Sequence, residues 1–421
     1  MRILYLSQYY PPEMGAPAAR VSELSREWAR LGHRVTVLTG FPNHPTGVVH
    51  EGYRGEFFRR EELDGVQVLR APIYAAANKG VARRSLAYLS YAASSALLGP
   101  LVAERPEVLI ATSPQFLTGV SGLWLSGVLR VPFVFEVRDL WPRSIVEVGA
   151  MAKDHPVIRG LEQLEKLLYK KADRIVAVTE SFVDEIAAHG IDRAKISVVT
   201  NGVDLELFQP RDRAEARAKL GLPQGAFLAS YVGTHGMAHG LSMLLEVAKQ
   251  LRARGGAAAE AKLLLVGEGA EKAKLVEAAK REGLTNLLFW SQRPRGEVAQ
   301  VLAASDACLV LLKDAPLFRT VIPSKIFECM GAARGLVTTV DGESRRIIEA
   351  AGAGIFSPPE DANALAALLG KLAGERAPAG HAGLDAMGES GRAYAVSRYS
   401  RPALARRYLD EVLAPLAARG R

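Results

Sequence analysis

Two doubly wound α/β domains, facing one another across a cleft, are the fold class this sequence predicts. Three observations carry that expectation. Short runs rich in Val, Ile and Leu alternate with amphipathic segments along the chain. The alternation breaks once near the middle and then restarts. The chain has 421 residues, too many for one ordinary core and suited to two domains of roughly 150–200 residues.

The first set of strands is read at Arg2–Ser7, Arg34–Thr39, Val66–Ala71, Val108–Thr112, Phe133–Val137, Arg174–Thr179 and Ile196–Thr200. Amphipathic helices such as Ala18–Leu31 and Ile158–Lys171 separate most of them. Apolar strands alternating with helices imply parallel sheets buried on both faces. The second set is Phe227–Val232, Lys262–Val266, Asn286–Trp290, Ala307–Leu312 and Gly335–Val340. Its helices are read at Leu241–Ala253, Ala270–Glu282, Arg295–Ala303, Ser324–Ala333 and Glu343–Ala351. Pro210 and clustered charges interrupt the pattern at Asn201–Leu220. The expected domains are therefore 1–200 and 201–397. A final helix, Pro402–Ala417 within 398–421, is expected to return to the first domain, because Leu404, Tyr408, Leu409, Val412 and Leu416 recur at helical spacing.

Composition narrows the class. Hydrophobic residues make up 49% and charged residues 23%, which is globular and not disordered. Two cysteines, Cys308 and Cys329, build neither a disulfide framework nor a zinc cluster, so a reducing, cytoplasmic setting is expected. No signal peptide is read at the start. Ser85–Ala103 and Val108–Leu129 are uncharged, but serines and Gly99-Pro100 dilute the first and Ser113-Pro114-Gln115 breaks the second, so neither is expected to span a membrane. The net charge is +8. Much of the excess lies between Arg392 and Arg421, where a basic helix either binds anionic lipid on the inner membrane face or is a solvated surface. No basic run is interleaved with aromatics, so nucleic acid is not an expected partner.

Open parallel sheets bind ligands at the carboxyl ends of their strands. The first strand leads into a turn with Gly15 and Ala16 that opens a helix, where backbone N–H groups can meet an anion or the glycine can serve packing alone. Phe133–Val137 runs into Arg138-Asp139-Leu140-Trp141-Pro142, a charged pair over the cleft or a structural ion pair. Tyr231-Val232-Gly233-Thr234-His235-Gly236-Met237-Ala238-His239-Gly240 is a Gly-rich turn before a helix, suited to a diphosphate. Its His235 and His239 either donate to phosphate oxygens or are structural. Val266-Gly267-Glu268-Gly269 and Trp290-Ser291-Gln292-Arg293 end the next strands and are candidates to line a nucleotide pocket, unless Glu268 merely caps a helix. Last comes Ile322-Pro323-Ser324-Lys325, with Glu328 one turn on. Ser324 is read as an N-cap. Lys325 would sit in the first turn, where a cation opposes the helix dipole, which suggests an anion nearby. Glu328 can accept both hydroxyls of a ribose or simply complement the dipole.

Together these residues resemble the family 4 glycosyltransferases, which have the GT-B fold. The resemblance covers nearly the whole chain. It rests on the Gly15 turn, Gly32–Thr39, Thr200-Asn201-Gly202-Val203-Asp204, the Gly233 turn, Val266–Gly269 and Pro323–Ala332. Phe41-Pro42-Asn43-His44-Pro45 and Arg138–Pro142 resemble a bacterial branch that adds fucose or amino-deoxy sugars in surface-polysaccharide assembly, often on polyprenyl-diphosphate carriers. The resemblance implies a nucleotide-diphosphate sugar as donor substrate, a saccharide or lipid-linked acceptor, retention of configuration and no cofactor. It implies no obligate metal, and no Asp-x-Asp stands at a strand end. It assigns Asp139, Lys325 and Glu328 to catalysis. Gly15, Ala16, Gly233, Thr234, His239, Gly267, Glu268, Gln292, Arg293, Ile322, Pro323 and Ser324 go to the donor, and His44, Arg138 and Trp141 to the acceptor. Two features depart from the family pattern. Thr320 replaces the first of two paired glutamates, and Thr234 and His239 replace a loop arginine and lysine. Lys325 is then expected to be the main cation on the diphosphate. A nucleotide-sugar 2-epimerase and a non-catalytic sugar-nucleotide sensor are the alternatives on this architecture. A dehydrogenase would need a Gly-x-Gly-x-x-Gly turn, and the first loop has only Gly15.

Overall fold

The computed structural model describes residues 1–419 except 45, 77–80, 103, 148, 150 and 379; Pro45 and Arg421 lie outside the described residues. Residues 1–200 and 401–421 form one compact unit and residues 201–400 the other.

The first unit holds eight strands: β1 (Arg2–Leu6), β2 (Arg34–Gly40), β3 (Arg59–Leu63), β4 (Val66–Ala71), β5 (Val108–Thr112), β6 (Phe133–Val137), β7 (Arg174–Ala177) and β8 (Ile196–Val198). Their order is β3-β4-β2-β1-β5-β6-β7-β8. All neighbours run parallel except β3 and β4, which are antiparallel. Every residue of β5 and β6 is buried, as a sheet covered on both faces requires. Sequence reading passes over β3 for a physical reason. Its residues are Arg-Arg-Glu-Glu-Leu, none fully buried, because an edge strand with one neighbour needs no apolar face and is protected by charge.

The second unit holds β9 (Leu228–Val232), β10 (Lys262–Val266), β11 (Leu287–Trp290), β12 (Ala307–Val310), β13 (Leu336–Thr338) and β14 (Gly354–Phe356), in the order β11-β10-β9-β12-β13-β14, all parallel. Alternate residues feed separate cores: Ala229, Tyr231, Leu263 and Leu265 pack on one side, Leu228, Leu264 and Val266 on the other. The edge strand β14 is the second one the sequence pattern misses, being three residues long and half-buried.

Residues 401–421 pack on the first unit. The single helix expected at Pro402–Ala417 is in fact Arg401–Tyr408 and Ala414–Arg419, joined by a π-helical stretch, Leu409–Leu413. The wider turn lets Leu404, Tyr408, Val412, Leu413 and Leu416 all enter the core with Val21, Leu24 and Trp28 of helix α1 (Ala16–Arg30). Trp28 Nε1 donates to Ala405 O at 2.9 Å, and its ring meets Tyr408 edge-on at 5.3 Å.

Tyr408→Ala removes a fully buried ring from this interface, at a cost of about 3–5 kcal/mol. Hydrogen exchange should show faster exchange across β1 and α1 while β9 and β10 keep their protection. Equal loss in both sheets would contradict the division.

Candidate donor and acceptor half-sites

In the second unit the ends of β9 and β10 are zipped together beyond the sheet. Gly233 N donates to Val266 O at 2.9 Å, His235 N to Glu268 O at 2.8 Å, and Glu271 N to His235 O at 2.9 Å. The approach leaves no room for side chains. A Cβ on Gly267, whose φ is +151°, would lie 1.9 Å from Gly233 O, and one on Gly269 2.4 Å from His235 O. Lys272 anchors the same ends. Its Nζ bonds Gly267 O at 2.9 Å, Trp290 O at 3.0 Å and the Glu268 carboxylate at 2.7 Å. Glu268 thus pairs with Lys272 rather than capping a helix. Sequence reading misses Lys272, because a lysine on the outer turn of a helix is by default a solvated charge.

Lys325 opens the helix Lys325–Gly331. Ser324 precedes it with helical dihedrals and makes no side-chain capping bond, so the expected hydroxyl cap is absent and the Ser324 side chain stays half-buried beside the helix start. The Lys325 ammonium is buried and has no hydrogen-bond partner among the described residues. It rests 3.8 Å above the Tyr231 ring centroid, and a Cβ on Gly233 would come within 2.6 Å of it. Burial lowers its pKa to about 8. The Tyr231 hydroxyl donates to Thr234 O at 2.9 Å, holding the Gly233 turn against the same ring.

His235 and His239 flank that ring, each with its centroid 6.0 Å away. Burial drives His235 down to about 4 and His239 to about 3, and the Lys325 charge adds to both shifts. Both are neutral at pH 7, so neither supplies a cation. Neither ring nitrogen of His235 has a partner, nor does Nδ1 of His239. Buried polar atoms left unpaired beside an unpaired ammonium mark a place where a ligand completes the bonding.

Glu328 is half-buried one turn after Lys325, with the Arg295 guanidinium 3.9 Å from its carboxylate. Arg295 lies over Phe208 and is a second residue that sequence reading passes over. Arg293 lies over Trp290 and reaches Glu297 at 3.3 Å. Gln292 and Pro323 are half-buried, Ile322 is buried and Thr234 is exposed. The Thr320 hydroxyl donates to Leu317 O at 2.7 Å, a local bond within its own turn. The helix expected from Leu241 starts at Met243, after a single 3₁₀ turn at Met237–His239.

In the first unit Gly15 has φ +140° and starts α1. Arg138 spends its guanidinium there, on Ala16 O at 3.0 Å and Pro17 O at 3.4 Å, and burial lowers its pKa to about 10. These contacts tie the Gly15 turn to the loop after β6, and Arg138 Nε has no hydrogen-bond partner among the described residues. The backbone N–H groups of Arg138 and Asp139 both donate to Ser113 Oγ, at 2.7 and 3.2 Å. Burial lifts the Asp139 carboxyl to about 6, against hydrogen bonds from Trp141 and Leu140. Trp141 meets Tyr88 edge-on at 6.4 Å, and His44 lies 5.3 Å from the Tyr9 ring. Glu13, which sequence reading passes over, is buried. Its Oε1 accepts from the N–H groups of Asn43 and His44, both at 2.9 Å, while Oε2 has no partner; burial raises its pKa to about 7.

Residues 15–202 match the family profile described as "Glycosyl transferase 4-like domain", and residues 226–375 match "Glycosyl transferases group 1". The chain is a family 4 glycosyltransferase with the GT-B fold. The transferase is 25% identical over 380 residues to the putative colanic acid biosynthesis glycosyl transferase WcaI of Escherichia coli, covering 87% of this chain and 91% of that one. It is 42% identical over 158 residues to D-inositol 3-phosphate glycosyltransferase 1 of Catenulispora acidiphila, covering 31% and 38%. Sucrose-phosphate synthase of Thermosynechococcus elongatus shares the fold with a TM-score of 0.77 at 18% identity, covering 99% of both chains. HepE of Anabaena, solved with UDP and glucose, gives 0.71 at 17% identity over 98% of this chain and 99% of that one.

The electrostatics predict how the ligand-free transferase titrates. By NMR, Lys325 should lose its proton through about pH 8, being charged below and neutral above. The rings of His235 and His239 should stay neutral down to pH 5, because their pKa values are about 4 and 3. A ring titrating near the free-histidine value of about 6.5 would contradict this geometry.

Proposed function

We propose that the transferase moves a sugar from a nucleoside-diphosphate donor to a saccharide or polyprenyl-diphosphate-linked acceptor in polysaccharide assembly, with retention of configuration and without a metal ion. One observation carries the reading: the Lys325 ammonium is buried beside a Gly-rich turn with no hydrogen-bond partner of its own among the described residues. Its counter-ion has to come with a ligand, and a diphosphate is an anion of the right charge. UDP is the nucleotide that HepE holds in this fold, which supports a UDP-sugar. The likeness of Phe41–His44 and Arg138–Pro142 to the polysaccharide branch, together with the match to WcaI, supports a fucose or amino-deoxy sugar.

The chemistry then needs few groups. The bond from the anomeric carbon to the diphosphate oxygen breaks, and a bond from that carbon to the acceptor oxygen forms on the same face. The acceptor's proton passes to the departing phosphate oxygen, so no separate strong base is required. Lys325 stabilises the charge that develops on the leaving group, and such fixed electrostatic stabilisation supplies most of the barrier lowering in a step of this kind. The helix dipole at its start adds only about 0.3–1 kcal/mol. Glu328 accepts from the ribose hydroxyls, with the Arg295 guanidinium 3.9 Å from its carboxylate. Asp139, held at its backbone by Ser113, orients a hydroxyl of the acceptor or the sugar.

Lys325→Ala should lower turnover by about a hundredfold or more, with a smaller effect on donor binding. His239→Ala should cost less, because that ring is neutral. kcat/KM for UDP-sugar in the parent should weaken as pH rises through about 8, where Lys325 of the free protein loses its proton, and should be unchanged by EDTA. A fall beginning near pH 6.5, with His239→Ala the more damaging change, would transfer the role to His239.

Glu328→Gln weakens two charge-assisted hydrogen bonds, each worth about 1.5–3 kcal/mol. Donor affinity by calorimetry should drop at least about tenfold with the melting temperature of the free protein retained. If the parent binds ribose and 2′,3′-dideoxyribose donors equally, Glu328 does not hold the ribose.

A further inference from the structure

Helix α2 (Val81–Val102) packs on helix α3 (Leu117–Leu129) and leaves an apolar face in solvent. On α2, Leu86, Leu89, Leu97 and Leu101 are 52%, 53%, 72% and 79% exposed, and Ala93 is exposed between them. These positions follow one another at helical spacing, so they form a single stripe, about 22 Å long. Ala87, Tyr91, Ser95 and Gly99 form the opposite, buried face, and a Cβ on Gly99 would meet Leu125 of α3 at 2.7 Å. Trp124 and Val128 of α3 add 59% and 46% exposure, four residues apart on one face of that helix. A surface helix is ordinarily polar on its outer side. Single exposed apolar residues are common, but a continuous stripe marks an interaction surface.

Charge identifies what covers it. No Asp or Glu occurs from Gly65 to Ala103, nor from Val108 to Phe135. Arg83 and Arg130 are exposed, near the start of α2 and just after α3. Glu104, after α2, lies 3.7 Å from Arg34. A second copy of the chain would bring the same arginines and no acidic residue on either helix to meet them. Part of the basic terminal segment, expected to supply lipid contacts, is committed elsewhere: Arg401 pairs with Glu23, Arg407 with Glu411 at 3.0 Å, and Arg392 bonds Phe208 O and Gly331 O. No described helix is long and apolar enough to cross a membrane.

We propose that the outer face of α2 and α3 rests on an anionic lipid bilayer, with the leucines and Trp124 at the headgroup–acyl boundary and Arg83 and Arg130 on the headgroups. The surface lies beside the loop assigned to the acceptor, since Tyr88, next to Leu89, meets Trp141. A bilayer-borne acceptor would reach that loop at the level of the membrane surface. Binding to lipid requires neither donor nor acceptor, so its failure is distinguishable from failure of the transferase reading.

The test is flotation of the full chain with vesicles of equimolar phosphatidylglycerol and phosphatidylcholine, and with phosphatidylcholine alone. The parent should float with the anionic vesicles and much less with the neutral ones. Leu89→Ser/Leu97→Ser/Leu101→Ser should weaken binding at least about tenfold, while Arg406→Ala/Arg407→Ala on the terminal helix should bind like the parent. In a second measurement, brominated lipid should quench parent fluorescence more than that of Trp124→Phe. Equal binding by the leucine variant and parent, no parent binding, or undiminished quenching in Trp124→Phe would overturn the proposal. So would a parent dimer that the leucine variant dissociates without any vesicle binding, which would make the face an interface between copies.

Discussion

Lys325 carries its ammonium into a place where no hydrogen-bond acceptor among the described residues receives it, and much of the second unit's ligand half-site can be understood as the means of keeping it there. An unpaired buried charge is costly. Part of that cost is met by the π face of Tyr231, a contact worth on the order of 1–2 kcal/mol when desolvated, and part by the lowered pKa. Gly233 has φ +150°, which side-chain-bearing residues rarely adopt, and a Cβ there would also displace the ammonium. Gly267 and Gly269 are glycines because the neighbouring turn must lie against theirs. His235 and His239 stay neutral in part because the same charge opposes their protonation. With Thr234 uncharged and His239 neutral, Lys325 is the cation held against the Gly233 turn.

The first unit is held by the opposite device, an ion pair closed on all sides. Arg20 and Glu136 are both fully buried and meet at 2.9 Å. Burial alone would raise the Glu136 pKa, but Arg20 outweighs it and keeps the carboxylate ionised. Tyr5 and Thr112 donate to the same carboxylate at 2.8 Å, and Arg20 reaches Val199 O and Thr200 O. One pair thus joins β1, β5, β6, α1 and the end of the strand region after β8. Because β5 and β6 are fixed, Ser113 can hold the Arg138–Asp139 backbone, and Arg138 can hold the turn at Gly15. Asp306 does the same in the second unit, taking Arg217 at 2.7 Å and Arg376 at 3.1 Å beside the start of β9. Both of these ion pairs are closed, Asp306 beside the start of β9 and Glu136 one residue from the end of β6, whereas the Lys325 ammonium is left open.

Hydrophobic pattern by itself determined the two parallel sheets, most of their strands and the positions of the Gly-rich turns, because central strands buried on both faces must be apolar throughout. The helix start read at Ser324 also picked out Lys325, since a lysine in a first helical turn is unfavourable without an anion. The hydrophobic pattern did not show β3 or β14, because edge strands are not bound by that constraint. Only the tertiary structure decided which charges are satisfied. Arg138 is turned onto Ala16 O and Pro17 O, Arg401 onto Glu23, and Arg392 onto Phe208 O and Gly331 O, none of which spacing along the chain reveals. The same holds for the leucines of α2. In sequence they belong to an uncharged stretch diluted by serines and Gly99-Pro100, and their outward face depends on which side of α2 the sheet and α3 already occupy.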